Sequence, residues 1–399
     1  MRKNFAVGVV AAMVVAILPV ATSSVSFGAV KASNATSIKD FGGMNGLVTA
    51  CKKEGKLNVI TLPRDWANYG EAMDLFSKAF GVKIFDDNPD GSSAYEVQTI
   101  KTAPASKQPD VVDVGVSVLD DAVGNDIFAE YRVATWDAIP NAWKDTLNAK
   151  YYGDYAGQIA IMYDTSIPFA PKSIKDLLRP EFKGLVAISG DPTQAQQALM
   201  SVFAASVANG GSTSNIQPGI DFFKQLKANG NFVPVNGNTA NFAAGAYKVV
   251  LNWNFNGPGT VAAAKQLGKN VKFVIPSDAV LQGTPYMQAI NKTAPHPACA
   301  RLWEEFMYSQ NKGKITSQLT AADLKLPGDK LFAAILGGQN IFISGGATPI
   351  QFPTMVAKKL NIAPPASITS YAGKLAAVTP SADSQAAAKK ILVAAWPNL

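Results

Sequence analysis

The chain has 399 residues, of which 48% are hydrophobic, 16% charged and 9% aromatic. That composition suits a folded protein with room for two domains. With Arg2, Lys3 and Lys31 set aside, 33 basic residues face 29 acidic ones, a balance that predicts no nucleic-acid partner. One histidine and two cysteines are too few for a usual zinc site, so neither a metal nor a cofactor is expected.

The chain opens with Arg2 and Lys3, followed by an apolar stretch from Phe5 to Val20 broken by small residues and Pro19. This is shorter than the roughly 20 apolar residues of a membrane span. Residues 1–32 read as a cleaved secretory signal, with Ala21-Thr22-Ser23 or Val30-Lys31-Ala32 as cleavage contexts. Export to the periplasm places Cys51 and Cys299 in an oxidising compartment, where they either bridge or stay apart as buried thiols. Neither lies at the cleavage region, so a lipid anchor is not expected.

Residues 33–45 are polar and glycine-rich, and are expected to form a flexible tether. The stretch "GLVTACKKEGK" predicts a helix ending at Gly55, and Leu57–Ile60 a strand. A helix over Gly70–Phe80 places Ala72, Met73, Leu75, Phe76, Ala79 and Phe80 on one face, with Gly81 as its stop. "VKIF" at 82–85 and the run at 111–114 in "PDVVDVG" are further strands, giving the βαβ rhythm of a parallel sheet. New material follows: strands at 157–164, "LVAIS", "FVPV", "YKVVLNW", "VKFVIP" and "YMQAIN". Between and after them lie helices from Pro192 to Val207, at "PACARLWEEFMYS" and at "SADSQAAAKKILVAAW".

In open α/β sheets, ligands bind beyond the carboxyl ends of the strands. That rule singles out residues 61–70, 115–118, 189–194 and 252–257. The first is "LPRDWANYG", where Trp66 and Tyr69 offer flat faces and Arg64, Asp65 and Asn68 offer donors and acceptors. In "LNWNFNGPG", alternation puts Trp253 and Phe255 on one face and the asparagines, Asn254 among them, on the other. Ser117 with Asp120 forms a capping-box pattern, and Asp191 ahead of Pro192 and Gln194 reads as a helix N-cap. Either site can also face a cleft. Catalytic sets are missing: His296 sits between prolines at a helix boundary, and no nucleophile elbow, metalloprotease helix, C-x-x-C or phosphate loop occurs. A non-enzymatic binding role is expected.

Four segments, in order and spacing, resemble the extracellular solute-binding proteins of ABC importers, closest to the polyamine/iron/phosphonate-type group. They are "LNVITLPRDWANYGEAMDLFSKAFGVKI", "PDVVDVG", "IKDLLRPEFKGLVAISGD" and "APHPACARLWEEFMYS". The resemblance implies an α/β, two-lobed type II fold joined by crossing hinge segments. One lobe would comprise 46–155 with 286–399, the other 156–285. Cys51 and Cys299 would then share a lobe. The implied partners are a small polar solute (polyamine, phosphonate or amino-acid-like) and an ABC permease in the membrane.

Polyamine binders of the group carry an aromatic-x-x-Tyr, matched by Trp66 and Tyr69, and a tryptophan matched by Trp253. Asp191 matches one of their carboxylates. Gln194 and Gln288 stand where further acids are expected, and Tyr286 replaces an aromatic partner. A buried cation without enough carboxylates is costly, so a neutral, zwitterionic or phosphonate-like solute held by Arg64 and the asparagines fits at least as well. Iron binders use paired tyrosines, and Tyr151-Tyr152 lies before the crossover strand rather than in the expected second-lobe position. A secreted enzyme on the same fold, or a ligand sensor for a signalling partner, are the alternative roles.

Overall fold

The computed structural model describes residues 31–281, 283–352, 355 and 378–399. The signal expected over 1–32 therefore lies outside the described residues, apart from its last two positions. Among the described residues, no helix is long and apolar enough to cross a membrane.

The first lobe begins with α1 (Met44–Glu54), β1 (Lys56–Ile60), α2 (Tyr69–Phe80), β2 (Lys83–Asp87), α3 (Ser93–Thr102), β3 (Val111–Val114) and α4 (Leu119–Gly124). β4 (Tyr152–Gly153) and β5 (Tyr155–Ala156) lead out of it. The second lobe contains β6 (Ile159–Asp164), β7 (Val186–Ile188), α5 (Gln196–Ala208), α6 (Gln217–Ala228), β8 (Phe232–Asn236), α7 (Thr239–Ala243), β9 (Val249–Trp253), α8 (Gly257–Gln266) and β10 (Val271–Val274). The chain then returns through β11 (Met287–Ile290), α9 (Pro297–Met307), α10 (Gly328–Ala334), α11 (Gly338–Ser344), β12 (Thr348–Pro349) and α12 (Ala382–Ala395).

Local sequence explains the elements that carry the cleft. α2 buries Ala72, Met73, Leu75, Phe76, Ala79 and Phe80 along one stripe, and Gly81 ends it in the left-handed region at φ +67°. Phe76 packs edge-on against Trp303 of α9, ring centres 5.3 Å apart. α1 lies on the same helix, and Cys51 is bonded to Cys299 across 248 residues of sequence. Closing so long a loop stabilises the fold by about 5 kcal/mol on the chain-entropy account.

β1 and β2 run parallel, from Lys56 opposite Lys83 to Ile60 opposite Asp87. The Asp110 N–H donates to the Asn58 carbonyl at 2.7 Å, bringing β3 beside β1, and β11 runs antiparallel between β3 and β4. The second sheet has the order β10-β6-β9-β7-β8, with β7 parallel to both β8 and β9 and β6 antiparallel to β9. The two crossings lie side by side. Ile159 N–H donates to Leu281, Gly283 to Gly157, Tyr286 to Tyr155 and Asp154 to Tyr286, all at 2.9–3.1 Å.

Two expectations change. Residues 33–45 are not a free tether: Arg301, buried in α9, donates to the Ser33 and Ala35 carbonyls at 3.0 and 2.8 Å. A buried guanidinium needs acceptors, and this segment supplies them. Nor does the helix expected from Pro192 begin there. α5 starts at Gln196, because Asp191 closes a local turn instead, its Oδ1 accepting from Thr193 N–H and Oγ1 at 2.7 Å.

Candidate functional site

The cleft between the lobes contains two joined spaces. The inner one, about 50 Å³, lies among Asp65, Trp66, Asp90, Asn238, Asn252 and Asn256. It has room for a few waters. The outer one, about 480 Å³, is lined by Asp90, Tyr95, Asp191, Gln194, Phe232 and Trp396, with other residues. Its size falls within the roughly 300–1,000 Å³ of small-molecule sites. Asp90, Gly91, Gln197 and Asn236 belong to both.

The inner space is narrow because the lobes touch there. Thr239 Oγ1 donates to Asp65 Oδ2 at 2.9 Å, and Asn238 Nδ2 to Asp90 Oδ2 at 3.0 Å. Trp66 meets Phe255 edge-on, ring centres 6.4 Å apart. Burial, and then the neighbouring Asp65 charge, push the Asp90 carboxyl above its usual range, while the Asn238 amide pulls it back. Burial likewise raises Asp86 to about 6, beneath the Leu62 N–H that donates to it. Among the described residues, no lysine or arginine lines either space.

The loop from β1 to α2 holds an unusual backbone. Thr61, Ala67 and Asn68 have φ of 55°, 43° and 69°, a region that costs a non-glycine residue about 1 kcal/mol or more. The shape is fixed from outside: Asn68 Nδ2 donates to Ser344 Oγ at 2.9 Å, and Gly70 N–H to the Arg64 carbonyl at 2.8 Å. Gly345 lies so close to Ala67 that a Cβ there would stand 2.5 Å from the Ala67 carbonyl carbon.

Of the residues singled out in the sequence, Asp65, Trp66, Asp191 and Gln194 line the cleft. Arg64 does not. It points outward, pairing with Asp74 at 2.7 Å with its side chain 57% exposed, which removes the base expected to hold an anionic solute. Asn68 serves the loop. Ser117 lies in a short 3₁₀ turn, and α4 starts after Val118 with no side-chain cap, so the capping box is not formed.

Trp253 is buried rather than stacked on the cleft. Its Nε1 donates to Tyr286 Oη at 3.1 Å, and its ring lies parallel to Phe255. The alternation expected in "LNWNFN" ends with β9 at Trp253, where a 3₁₀ turn begins: Asn252 and Asn256 face the inner space, while the aromatics are buried. Asn254 is structural, its Oδ1 accepting from Gln158 N–H at 2.6 Å. Tyr286 supports the site from behind, donating to Gln197 Oε1 at 3.2 Å.

Tyr69 is also corrected. It is buried, and its hydroxyl donates to Asp113 Oδ2 at 2.8 Å. Gln288 Nε2 reaches both Tyr69 Oη and Asp154 Oδ2, at 2.9 and 3.0 Å, and Tyr155 donates to Asp113 at 3.0 Å. These five side chains form a buried polar knot at the hinge. Burial raises Asp113 to about 7, the tyrosine hydroxyls opposing it. Burial, then the Asp113 charge, drives Asp154 well above the carboxylate range. The knot fixes the start of α2, and through it the loop carrying Asp65 and Trp66.

Sequence reasoning missed Asp90, Tyr95, Phe232, Asn238, Thr239 and Trp396. Asp90 and Tyr95 follow β2, so the rule about strand ends would have found them had it been applied there. Trp396 gives no local signal, since α12 reaches the second lobe only through tertiary packing.

Residues 106–333 match the family described as bacterial extracellular solute-binding protein. The chain belongs to that family. Among solved structures, this solute-binding protein resembles a periplasmic thiamin binding protein at 16% identity and TM-score 0.58, covering 86% of this chain and 95% of that one. The ferric binding protein from Campylobacter jejuni matches at 15% and 0.54, covering 86% and 98%. A putative spermidine/putrescine ABC transporter from Listeria monocytogenes matches at 13% and 0.52, covering 86% and 100%. A comparison with curated proteins returns no match. The fold is the two-lobed type II fold of periplasmic binding proteins, whose members are generally not enzymes. Both cysteines are taken up in the disulfide, so a thiol-based enzyme on this fold would lack its nucleophile. Among the described residues, no group of three or more His, Cys, Asp or Glu side chains is placed to hold a metal ion.

Proposed function

We propose that this protein captures a small, positively charged polar solute in the interlobe cleft and delivers it to an ABC permease, acting in the periplasm after removal of its signal. The lobes would divide as 46–155 with most of 286–399, and 156–285, with α12 shared between them. The single observation that carries the charge is the lining: Asp65, Asp90 and Asp191 face the cleft with amides and rings around them, and no basic side chain accompanies them among the described residues. Three carboxylates without a counter-charge favour a cation and disfavour a phosphonate. Asp90 supplies the acid that Gln194 and Gln288 do not.

The test is calorimetric titration with 1,4-diaminobutane, ethanolamine and 2-aminoethylphosphonate. Cation binding with heat, weakened at least tenfold by Asp90→Asn or Asp191→Asn, is the expected result. Tighter binding of the phosphonate than of either amine would sink the reading.

A further inference from the structure

The outer space has a feature that general cation binding does not require. Three aromatic rings, Tyr95, Phe232 and Trp396, line it together with Asp90 and Asp191. Each ring is held from behind. Tyr95 Oη donates to Asp87 Oδ2 at 3.0 Å. Trp396 stands edge-on to Phe223 and to Phe232, ring centres 5.3 and 6.2 Å away. Trp396 remains half-buried with the space in front of it.

Trp396 is delivered there by α12, and α12 is anchored at the junction of the lobes. Gln385 is fully buried; Gln196 Nε2 donates to its Oε1 at 2.7 Å, and its own Nε2 donates to Thr284 Oγ1 at 3.3 Å. Leu392 and Ala388 join the apolar core beside it. The ring at the end of this helix is therefore a placed wall.

We propose that the outer space receives a methylated ammonium group, and that Trp396 selects it. A trimethylammonium has no N–H to donate, so hydrogen-bond acceptors do not favour it. It is large and weakly hydrated, and the electron-rich faces of aromatic rings attract it. Tyr95, Phe232 and the Trp396 that α12 brings in line the space with such rings, while Asp90 and Asp191 supply the charge without touching nitrogen. Asp191 already spends Oδ1 on Thr193. A primary ammonium gains less from rings and would rely on the acceptors of Asp90, Asp191, Gln194 and Asn236 to replace its water.

This inference rests on the cationic reading above, and its test separates the two. Choline and ethanolamine differ only in three methyl groups, and both are titrated against the intact protein alongside 1,4-diaminobutane. Choline is expected to bind at least tenfold more tightly than ethanolamine. Trp396→Ala should remove that preference, and Trp396→Phe should keep most of it. Because Trp396 also packs on the second lobe, Tyr95→Ala provides a variant on the opposite lobe, outside that packing, with the same expected loss of preference. Equal affinity for the two amines, or a preference unchanged in both alanine variants, overturns the inference. Binding of 1,4-diaminobutane without choline overturns it and leaves the cationic reading standing. Absence of binding by all three cations overturns both.

Discussion

The two lobes share a plan and differ in what holds them. Each places one antiparallel strand, β11 or β6, beside strands that follow the βα rhythm. The second lobe buries little charge, and its α5 buries every residue but Val207, eight of them apolar. The first lobe buries Glu96, Asp110, Asp113, Glu304 and Glu305 in its interior, with Asp154 where it meets the crossing, and carries the disulfide. Apolar packing gives cohesion, whereas a buried polar knot gives one geometry, since each donor must meet its acceptor. The lobe with the knot also carries the strained loop at 61–69, which must keep its shape against φ values that most residues avoid.

The contrast is open to experiment, starting with the largest effect. Replacing both Cys51 and Cys299 by alanine should lower unfolding stability by about 5 kcal/mol or somewhat less. Urea titration measures the loss, and hydrogen exchange should show it in the strands of the first lobe before those of the second. Equal loosening of both lobes would erase the distinction.

The next effect depends on pH. Burial raises Asp113 and Glu305 each to about 7, so the folded chain keeps protons that the unfolded chain releases near pH 4. Stability is then highest below about pH 4 for these groups and falls as pH rises towards 7. Asp113→Asn should flatten part of that slope in urea titrations at pH 5 and pH 7.5. An unchanged slope would move the proton elsewhere.

A smaller effect tests the contact between lobes. Thr239→Val removes the donor to Asp65 and should cost about 1 kcal/mol, with a larger radius of gyration in solution scattering without solute. The smallest effect is expected for Arg64→Ala. Its pair with Asp74 is exposed, so stability should change by less than about 1 kcal/mol, and solute affinity should not change.

Periodic patterns were readable in the sequence; pairings at long range were not. The α2 helix is expected from Gly70 to Phe80 and found from Tyr69 to Phe80, because spacing and Gly81 determine it locally. The polar knot joins Tyr69, Asp113, Asp154 and Gln288 across up to 219 residues, and no local pattern announces that. The same limit misplaced Trp253. An aromatic at a strand end suits a ligand wall and a hinge core equally well, and its tertiary neighbours Tyr286 and Phe255 decide between them. Asp191 and Gln194 were found because strand-end loops are a topological rule, although their helix starts later than its sequence suggests.

The Cys51–Cys299 bond has one more consequence. It ties together two helices of one lobe across a 248-residue separation, so the whole second lobe lies inside a covalent ring. A protease that cut any surface loop between those cysteines would leave a single molecule, its fragments running together on a gel until a reductant separated them.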